Sequence, residues 1–226
     1  MSKHQREQSE LETQVNEVMI QGEQFIEKHL KKVLIAVAAV VLIVVGIFAY
    51  IKFVREPRAM QASVASYVAE DHFLRYQDSL ALSGIGIEHK GFEALAKEYS
   101  GTDAANLAHA YSAIAHYDAG KYDAAIEDLK HFSGKDQFVA PSLKRLLGDC
   151  YAQLGKYEEA VAAYLEAAKM ANNEAVTPSC LIKAARAYEK LGKTDKAKEV
   201  YLSLQKDYAA SVEAQSLEAD LLRVGA

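Results

Sequence analysis

Hydrophobic residues are concentrated in one uninterrupted run near the start of the chain. Residues 33–51 read VLIAVAAVVLIVVGIFAYI and carry no charge over nineteen positions. A helix of that length spans about 28 Å, which approaches the roughly 30 Å of a bilayer's hydrocarbon core. Lys32 precedes the run and Lys52 follows it, so charged groups can reach the headgroups at both ends. The pattern predicts a transmembrane helix over residues 33–54.

Two other kinds of segment, a buried core helix and a cleaved signal peptide, also contain long apolar runs. A buried core helix needs a globular domain large enough to surround it, and the polar remainder of the chain does not suggest one. A cleaved signal peptide has about 7–15 apolar residues after a short basic start. Here 32 residues precede the run, and six of them are glutamates. We therefore predict an uncleaved anchor.

The charges beside the anchor do not decide its orientation. Three basic residues lie close to it on each side: Lys28, Lys31 and Lys32 before it, and Lys52, Arg55 and Arg58 after it. The positive-inside rule compares such flanking charges, so it leaves both orientations open.

Residues 1–32 form a polar tail with a weak helical pattern. Positions at alternating spacings of four and three are Leu11, Val15, Val18, Gly22, Phe25 and His29. This spacing indicates either a helix that binds a partner or self-associates, or a helical extension of the anchor near the interface. Few of these positions are apolar, which favours the extension.

Helix-length segments separated by turns follow the anchor. Pro57 is placed to end the anchor helix or to bend it. Apolar residues recur at helical spacing over 58–82, and residues 83–91 (SGIGIEHKG) contain three glycines and are predicted to form a loop. No convincing alternation of β-branched residues occurs, so strands are not expected. Residues 55–91 are thus a helical spacer and loop, and residues 92–226 a helical domain.

The helical domain is internally repetitive. Residues 141–171 read PSLKRLLGDCYAQLGKYEEAVAAYLEAAKMA, and residues 178–211 repeat the pattern 37 positions later. A weaker copy covers about 106–139. Each copy has Gly-Lys followed by a helix with Ala at a fixed offset, in GKYDAA, GKYEEA and GKTDKA. This arrangement resembles the tetratricopeptide repeat (TPR), in which small residues lie where two helices approach and aromatic residues fill larger gaps.

A second internal similarity concerns the junctions between helices. Residues 92–105 (FEALAKEYSGTDAA) align with residues 201–214 (YLSLQKDYAASVEA). In each, one helix is predicted to end near Tyr and the next to begin with Thr102 or Ser211 as its N-cap.

Prolines mark further helix starts. Thr177 is predicted to be an N-cap with Pro178 in the first turn, and Pro141 has the same role in the preceding repeat. A last helix at about 211–224 is expected to cover the open end of the stack, as repeat arrays require.

Net charge and motifs exclude several functions. The formal net charge is −5 with no basic block, which argues against nucleic acid as a partner. Gly192-Lys193-Thr194 resembles the end of a phosphate-binding loop, but Ala187 stands where that motif needs Gly and no strand precedes it. We expect no cofactor, no metal and no catalytic residues.

The remaining histidines and cysteines have structural explanations. His109 and His116 lie seven residues apart without an HExxH motif or a Cys/His cluster, which is typical of packed or surface histidines. Cys150 and Cys180 have no metal-binding spacing. We predict that both are buried free thiols, rather than the two halves of a disulfide.

A protein-binding surface is expected on the first helix of each hairpin, which lines the concave side of a solenoid. Residues there outside the repeat core and turns are Tyr117, Arg145, Asp149, Arg186 and Glu189. We predict that these are partner-binding residues, with Arg145 and Arg186 contacting an extended peptide or a partner's acidic segment. For any one of them taken alone, a solvated polar face is the favoured interpretation, whereas for the protein as a whole we expect binding in the groove.

The order of segments resembles the YfgM-like family of bacterial inner-membrane proteins. The shared features are a short tail, one anchor, the junction at 92–105 and degenerate TPRs to the C-terminus. The resemblance implies a cytoplasmic N-terminus, a periplasmic repeat domain and an ancillary role at the Sec translocon alongside periplasmic chaperones. Open alternatives are a cell-envelope assembly or division adaptor, and an import-receptor-like protein with cytosolic repeats.

The sequence therefore predicts an all-α protein, in which a single N-terminal transmembrane helix is followed by a TPR-like α-solenoid. It predicts protein partners and a single membrane pass, and it leaves the oligomeric state open.

Overall fold

A computed structural model describes residues 3–86 and 88–225, with side chains for 19, 20, 29–86 and 88–225. The described chain is almost entirely helical. The helices are α1 (Lys3–Tyr50), α2 (Glu56–Leu74), α3 (Asp78–Ser83), α4 (Phe92–Glu98), α5 (Asp103–Asp118), α6 (Tyr122–His131), α7 (Val139–Gln153), α8 (Tyr157–Ala171), α9 (Thr177–Lys190), α10 (Thr194–Asp207), α11 (Val212–Gln215) and α12 (Glu218–Arg223). Two compact units, Met1–Pro57 and Arg58–Ala226, divide the chain.

The first unit is dominated by α1. Every side chain of residues 34–48 is exposed, as expected of a helix whose apolar surface is buried by lipid rather than by protein. Within the described residues, the stretch His29–Leu74 contains one helix that is long and apolar enough to cross a membrane. The backbone is helical through the tail positions from Leu11 to His29, as their spacing predicted. The side chains of residues 11–18 and 21–28 lie outside the described residues.

Pro57 does not end the helical segment. The residues before it, Ile51–Arg55, are π-helical, and the Glu56 amide donates to the Ile51 carbonyl five residues back. Pro57 lies in the first turn of α2. A proline lacks an amide hydrogen and its ring crowds the preceding turn, and a π-helical segment is one way to accommodate this.

The predicted helix over 58–82 is two helices. It breaks after Leu74, where Tyr76 adopts a φ of 59°. The predicted loop at 83–91 contains a short antiparallel strand pair, β1 (Gly84–Ile85) and β2 (His89–Lys90). The expectation of no strands was therefore wrong here, because two-residue strands are too short to show alternation.

An aromatic cluster packs α2 against the start of the repeats. Phe73 lies 6.1 Å from Phe92 and 4.9 Å from Tyr111 between ring centroids. Ala69 and Leu95 are buried beside them. Arg58 adds a hydrogen bond of 2.9 Å to the Glu98 carbonyl, so α2 contacts α4 near both of its ends.

Three helical hairpins follow, formed by α5 with α6, α7 with α8, and α9 with α10. Each turn contains a glycine with positive φ: 72° at Gly120, 72° at Gly155 and 68° at Gly192. Glycine adopts this conformation without steric cost, which explains why the Gly-Lys pair recurs. The structure thus confirms the three predicted repeats.

Side-chain caps begin several of the helices. Thr102 accepts from the Ala105 amide and Ser211 from the Ala214 amide, as predicted. Thr177 is not a cap, because it already lies inside α9 and its hydroxyl accepts from the Asn173 amide.

Acidic and amide side chains take the capping roles assigned to other residues. The Asn173 side-chain oxygen accepts from the amides of Ala175 and Val176 just before α9. At α7, Asp136 accepts from the amides of Phe138 and Val139 at 2.8 and 2.5 Å. Backbone donors around Asp136, led by the Phe138 amide, lower the pKa of its carboxyl.

The end of the stack is less regular than predicted. The expected helix at 211–224 is interrupted around Ser216, giving α11 and α12. Leu217 and Val224 are buried in the same core cluster as Tyr201 and Leu204. These short helices therefore cover the apolar end of α10, as an end cap should.

Candidate partner-binding face

A buried carboxylate connects α7, α8 and α9. Asp149 accepts a hydrogen bond of 2.7 Å from the Tyr164 hydroxyl and one of 2.7 Å from the Lys183 ammonium. Arg145, one turn earlier on α7, lies 3.6 Å from its second oxygen. Asp149 is only 9% exposed, and a buried charge is tolerated when it is paired and hydrogen-bonded in this way.

The electrostatics of the neighbouring tyrosines follow from this carboxylate. Burial raises the pKa of Tyr164, and the hydrogen bond it donates to Asp149 raises it further. Burial also raises the pKa of Tyr117, followed by the charge of Asp149. Both hydroxyls therefore stay protonated at neutral pH. Tyr164 donates to Asp149, and the charge of Asp149 acts on Tyr117 as well.

A second network connects α9, α10 and α12. Glu189 accepts 2.5 Å hydrogen bonds from the Tyr201 hydroxyl and from Nε of Arg223. Asp220 accepts a bond of 3.1 Å from Arg186 and a shorter one from Arg223. Two carboxylates and two guanidinium groups thus alternate across the end of the array.

The pKa shifts of this network favour the charged forms. The hydrogen bond from Arg223 lowers the pKa of Glu189, against the opposing effect of burial. At Asp220, burial acts to raise the pKa, but the hydrogen bonds from Arg223 and Arg186 outweigh it and the net shift is downward. Both carboxylates are ionised at neutral pH.

The structure groups the predicted residues into these two networks. Tyr117, Arg145 and Asp149 lie together, and so do Arg186 and Glu189. We call the full set the first-helix face; its members are Tyr117, Arg145, Asp149, Lys183, Arg186, Glu189, Asp220 and Arg223.

Sequence reasoning missed Lys183, Asp220 and Arg223. A signal for them exists, because three ion pairs on this face each join opposite charges 34 residues apart: 149 with 183, 186 with 220, and 189 with 223. The hydroxyls of Tyr164 and Tyr201 were missed as well, since both aromatic positions were assigned to the core only.

Two arginines on this face retain unused capacity. The side chain of Arg186 is 55% exposed. The side chain of Arg145 is 31% exposed, although its Nε is buried. A guanidinium group has five N–H donors, so each arginine can bind a further carboxylate or carbonyl from outside the chain.

The other candidate residues have structural roles. His109 and His116 each contact one oxygen of Asp128, at 3.0 and 2.9 Å, and therefore tie α5 to α6. Among the described residues, no three His, Cys, Asp or Glu side chains are grouped to hold a metal ion. Cys150 and Cys180 are free and buried as predicted, and burial raises their thiol pKa values to about 12 and about 11.

Comparison with known proteins supports the repeat assignment. Residues 112–175 and residues 179–211 each match a family described as tetratricopeptide repeat. A TPR repeat-containing protein of Methanocaldococcus jannaschii is 35% identical over 97 residues, which are 42% of this chain and 16% of that protein. The chain therefore spans only a small fraction of the length of that relative.

Solved structures show the same fold. The nearly identical TPR-like repeats described for a kinesin light chain of Podosopora anserina superpose with a TM-score of 0.56 at 14% identity. The match covers 74% of this chain and 86% of that one. A single-substitution variant of the same repeats gives the same TM-score over 85% of its length. The chain therefore contains tetratricopeptide repeats stacked into an α-solenoid, and such repeats are protein-binding scaffolds.

Proposed function

We propose that this protein is a membrane-anchored TPR scaffold that holds a protein partner beside the bacterial inner membrane, ancillary to protein translocation or periplasmic chaperoning. The observation that carries this proposal is the direct succession of an apolar helix with exposed side chains over 34–48 and an array of TPR hairpins. The apolar helix suits lipid, and the array suits a polypeptide.

In this proposal the partner contacts the first-helix face. Arg145 and Arg186 bind carboxylates of an extended peptide or an acidic segment, while Asp149, Glu189 and Tyr117 hold the surface around them. The exposed side chain of Arg186 and the partly exposed side chain of Arg145 support this assignment. Bidentate binding of a carboxylate by arginine gives orientation as well as affinity.

The anchor supplies the functional advantage. A partner that binds a tethered site is confined near the bilayer, so its effective concentration there rises without any additional contact. The resemblance to the YfgM-like family supports placing the N-terminus in the cytoplasm and the repeats in the periplasm. Proteins leaving the translocon, or a chaperone that receives them, are the proposed partners.

Co-purification from native membranes tests the proposal. The full chain, solubilised in mild detergent, is expected to recover translocon or chaperone components. The double variant Arg145→Gln with Arg186→Gln should recover at least about fivefold less, because it loses two charge-assisted contacts. Lys190→Gln, an exposed substitution on α9, is the matched control. Recovery of neither component by the unchanged chain contradicts the translocation role, and cross-links to cell-wall synthases or barrel-assembly proteins select the envelope adaptor instead.

Cysteine labelling tests the orientation. The native cysteines are fully buried, so a single cysteine placed on the exposed surface of α8 by Lys169→Cys dominates reaction with a membrane-impermeant maleimide. We expect labelling at this position in cells whose outer membrane is permeabilised, and no labelling of Ser9→Cys in the tail. The reverse pattern places the repeats in the cytosol.

A further inference from the structure

The second helix of the first hairpin is unusually short. Helix α6 has 10 residues, whereas its counterparts α8 and α10 have 15 and 14. The four or five missing residues correspond to about 6–7 Å of helix, or slightly more than one turn. Their absence leaves a groove of about 470 Å³ over α7, between the end of α6 and the end of α8.

The groove has an apolar floor. Leu143 and Leu147 from α7, Leu129 from α6 and Met170 from α8 line it, with Phe132 at the end of α6. Leu143 and Leu147 are one turn apart on α7, and Arg145 and Asp149 lie about 200° further around that helix. The groove is therefore on the opposite side of α7 from the first-helix face, and its chemistry is independent of that face.

Side chains from neighbouring elements hold the groove open. The amide group of Asn106 donates to the Ser133 carbonyl at 2.8 Å and accepts from the Ser133 amide at 2.8 Å. Asn173 donates to the Gln137 carbonyl at 2.7 Å. The segment between α6 and α7 is thus fixed at both ends, so a ligand meets a site that needs little reorganisation.

The rim of the groove carries basic groups. Lys144 lies at the edge and forms an ion pair of 2.9 Å with Glu166. Lys135 is exposed and also lines the groove, and among the described side chains it has no ion-pair partner. The Lys135 ammonium, beside an apolar trough and without a neutralising partner, favours a ligand that combines apolar side chains with a carboxylate.

We propose that this groove binds an acidic amphipathic helix of a partner protein, which occupies the place of the missing turn of α6. Apolar side chains at i and at i+3 or i+4 of that helix fill the trough over Leu143 and Leu147, which are themselves one turn apart. A Glu or Asp on its flank pairs with Lys135. This is helix-in-groove recognition, in which an amphipathic helix lays its apolar face into a hydrophobic trough.

Synthetic peptides test the proposal on the full chain in zwitterionic nanodiscs, with empty nanodiscs as the lipid background. The probes are an 18-residue helical peptide with leucines on one face and flanking glutamates, the same peptide with lysines in place of the glutamates, and one with serines in place of the leucines. We expect the acidic peptide to bind at least about tenfold more tightly than either of the others.

Variants locate the binding. Lys135→Glu should weaken the acidic peptide at least about fivefold and strengthen the basic one, and Met170→Ser should weaken both. Lys169→Glu, also exposed on α8 but outside the groove, should change little. Equal binding of acidic and basic peptides overturns the proposal, as does an equal effect of Lys135→Glu and Lys169→Glu. A photo-cross-link from position 135 to a second copy of the chain assigns the groove to self-association and overturns it too.

Because the groove and the first-helix face are tested by different variants, either assignment can fail while the other stands.

Discussion

Two successive helix junctions have the same geometry with opposite charges. At the α7–α9 junction, Asp149 pairs with Lys183. Thirty-seven residues later in the sequence, at the α9–α12 junction, Arg186 stands at the position of Asp149 and pairs with Asp220, which stands at that of Lys183. The two pairs therefore occupy equivalent positions, with the acid and the base exchanged.

The exchange has a consequence for the buried tyrosine of each hairpin. Tyr164 donates its hydroxyl to Asp149. The equivalent Tyr201 cannot donate to Arg186, and it donates instead to Glu189, which lies almost one turn further along α9. A buried tyrosine hydroxyl therefore needs a hydrogen-bond acceptor within reach. The acid and the base of each ion pair, in contrast, can be exchanged as long as both residues change together.

Removing the acceptor should have the largest effect. Asp149→Ala leaves the Tyr164 hydroxyl buried without a partner and removes the anion that holds Lys183, so we expect it to lower the free energy of unfolding by about 2–4 kcal/mol. Urea unfolding followed by circular dichroism measures the change. Asp149→Asn keeps an acceptor oxygen and should cost clearly less. Equal losses for the two variants would show that the hydrogen bond to Tyr164 is unimportant.

The next effect concerns the close contact beneath the tyrosine. A Cβ added to Gly148 would lie 2.5 Å from the Tyr164 ring, so Gly148→Ala should cost about 1–3 kcal/mol through overpacking. The second junction has Ala185 at this position, beside Tyr201. Ala185→Gly should instead cost about 1 kcal/mol through added backbone freedom.

A compensating change checks the cause of the Gly148→Ala loss. In the first hairpin the equivalent pair is Ala113 with Leu129, both buried. Gly148→Ala should therefore lower the thermal stability less in a Tyr164→Leu background than in the unchanged chain. If it does not, the loss does not arise from contact with the tyrosine ring.

Transplanting one junction onto the other should have a smaller effect. The pair Asp149→Arg with Lys183→Asp copies the second junction, but it leaves the Tyr164 hydroxyl without its acceptor and should cost about 1 kcal/mol. Adding Ala152→Glu supplies the counterpart of Glu189. The triple variant should be more stable than the double variant, and the same substitution in the unchanged chain should give no such gain.

The smallest expected effect is the loss of stability in acid that the second network, around Glu189, contributes. The pKa of Glu189 is lowered in the folded state, so its contribution is present above the ordinary glutamate pKa of about 4.3 and is lost as the pH falls through the lower, folded value. Arg223 is half exposed, so solvent screens the pair and the contribution is small. Glu189→Gln should flatten the dependence of stability on pH below about pH 4, because its small cost at pH 8 disappears once the carboxylate of the unchanged chain is protonated.

Patterns of small and apolar residues were sufficient to predict most of the fold. The turn glycines Gly120 and Gly155 and the caps Thr102 and Ser211 were identified because their conformations or hydrogen bonds depend on the local sequence. The break after Leu74 and the capping of α9 by Asn173 were not, since Tyr76 has no residue-specific preference for positive φ and Asn173 precedes a helix-start pattern that is already complete at Thr177.

The candidate site was predicted only as a set of positions. Tyr117, Arg145, Asp149, Arg186 and Glu189 could be placed on first helices by their offsets within the repeat. Their pairing depends on which helix stacks on which, and the partners Lys183 and Asp220 come from the neighbouring repeat. The groove over Leu143 was not predicted, because it arises from the early end of α6, and helix ends are the least certain feature of a periodic pattern.

The exchanged charges also discriminate against incorrect assembly. If α7 stacked against α12 instead of α9, Asp149 would face Asp220, and two carboxylates would be forced together away from water. If α9 stacked on the α9 of a second copy, Arg186 would face Lys183 of that copy. In both incorrect arrangements, two like charges meet at a position where the native stack has an ion pair of opposite charges. The charges at these two junctions thus favour the native order of α7, α9 and α12 over these alternatives.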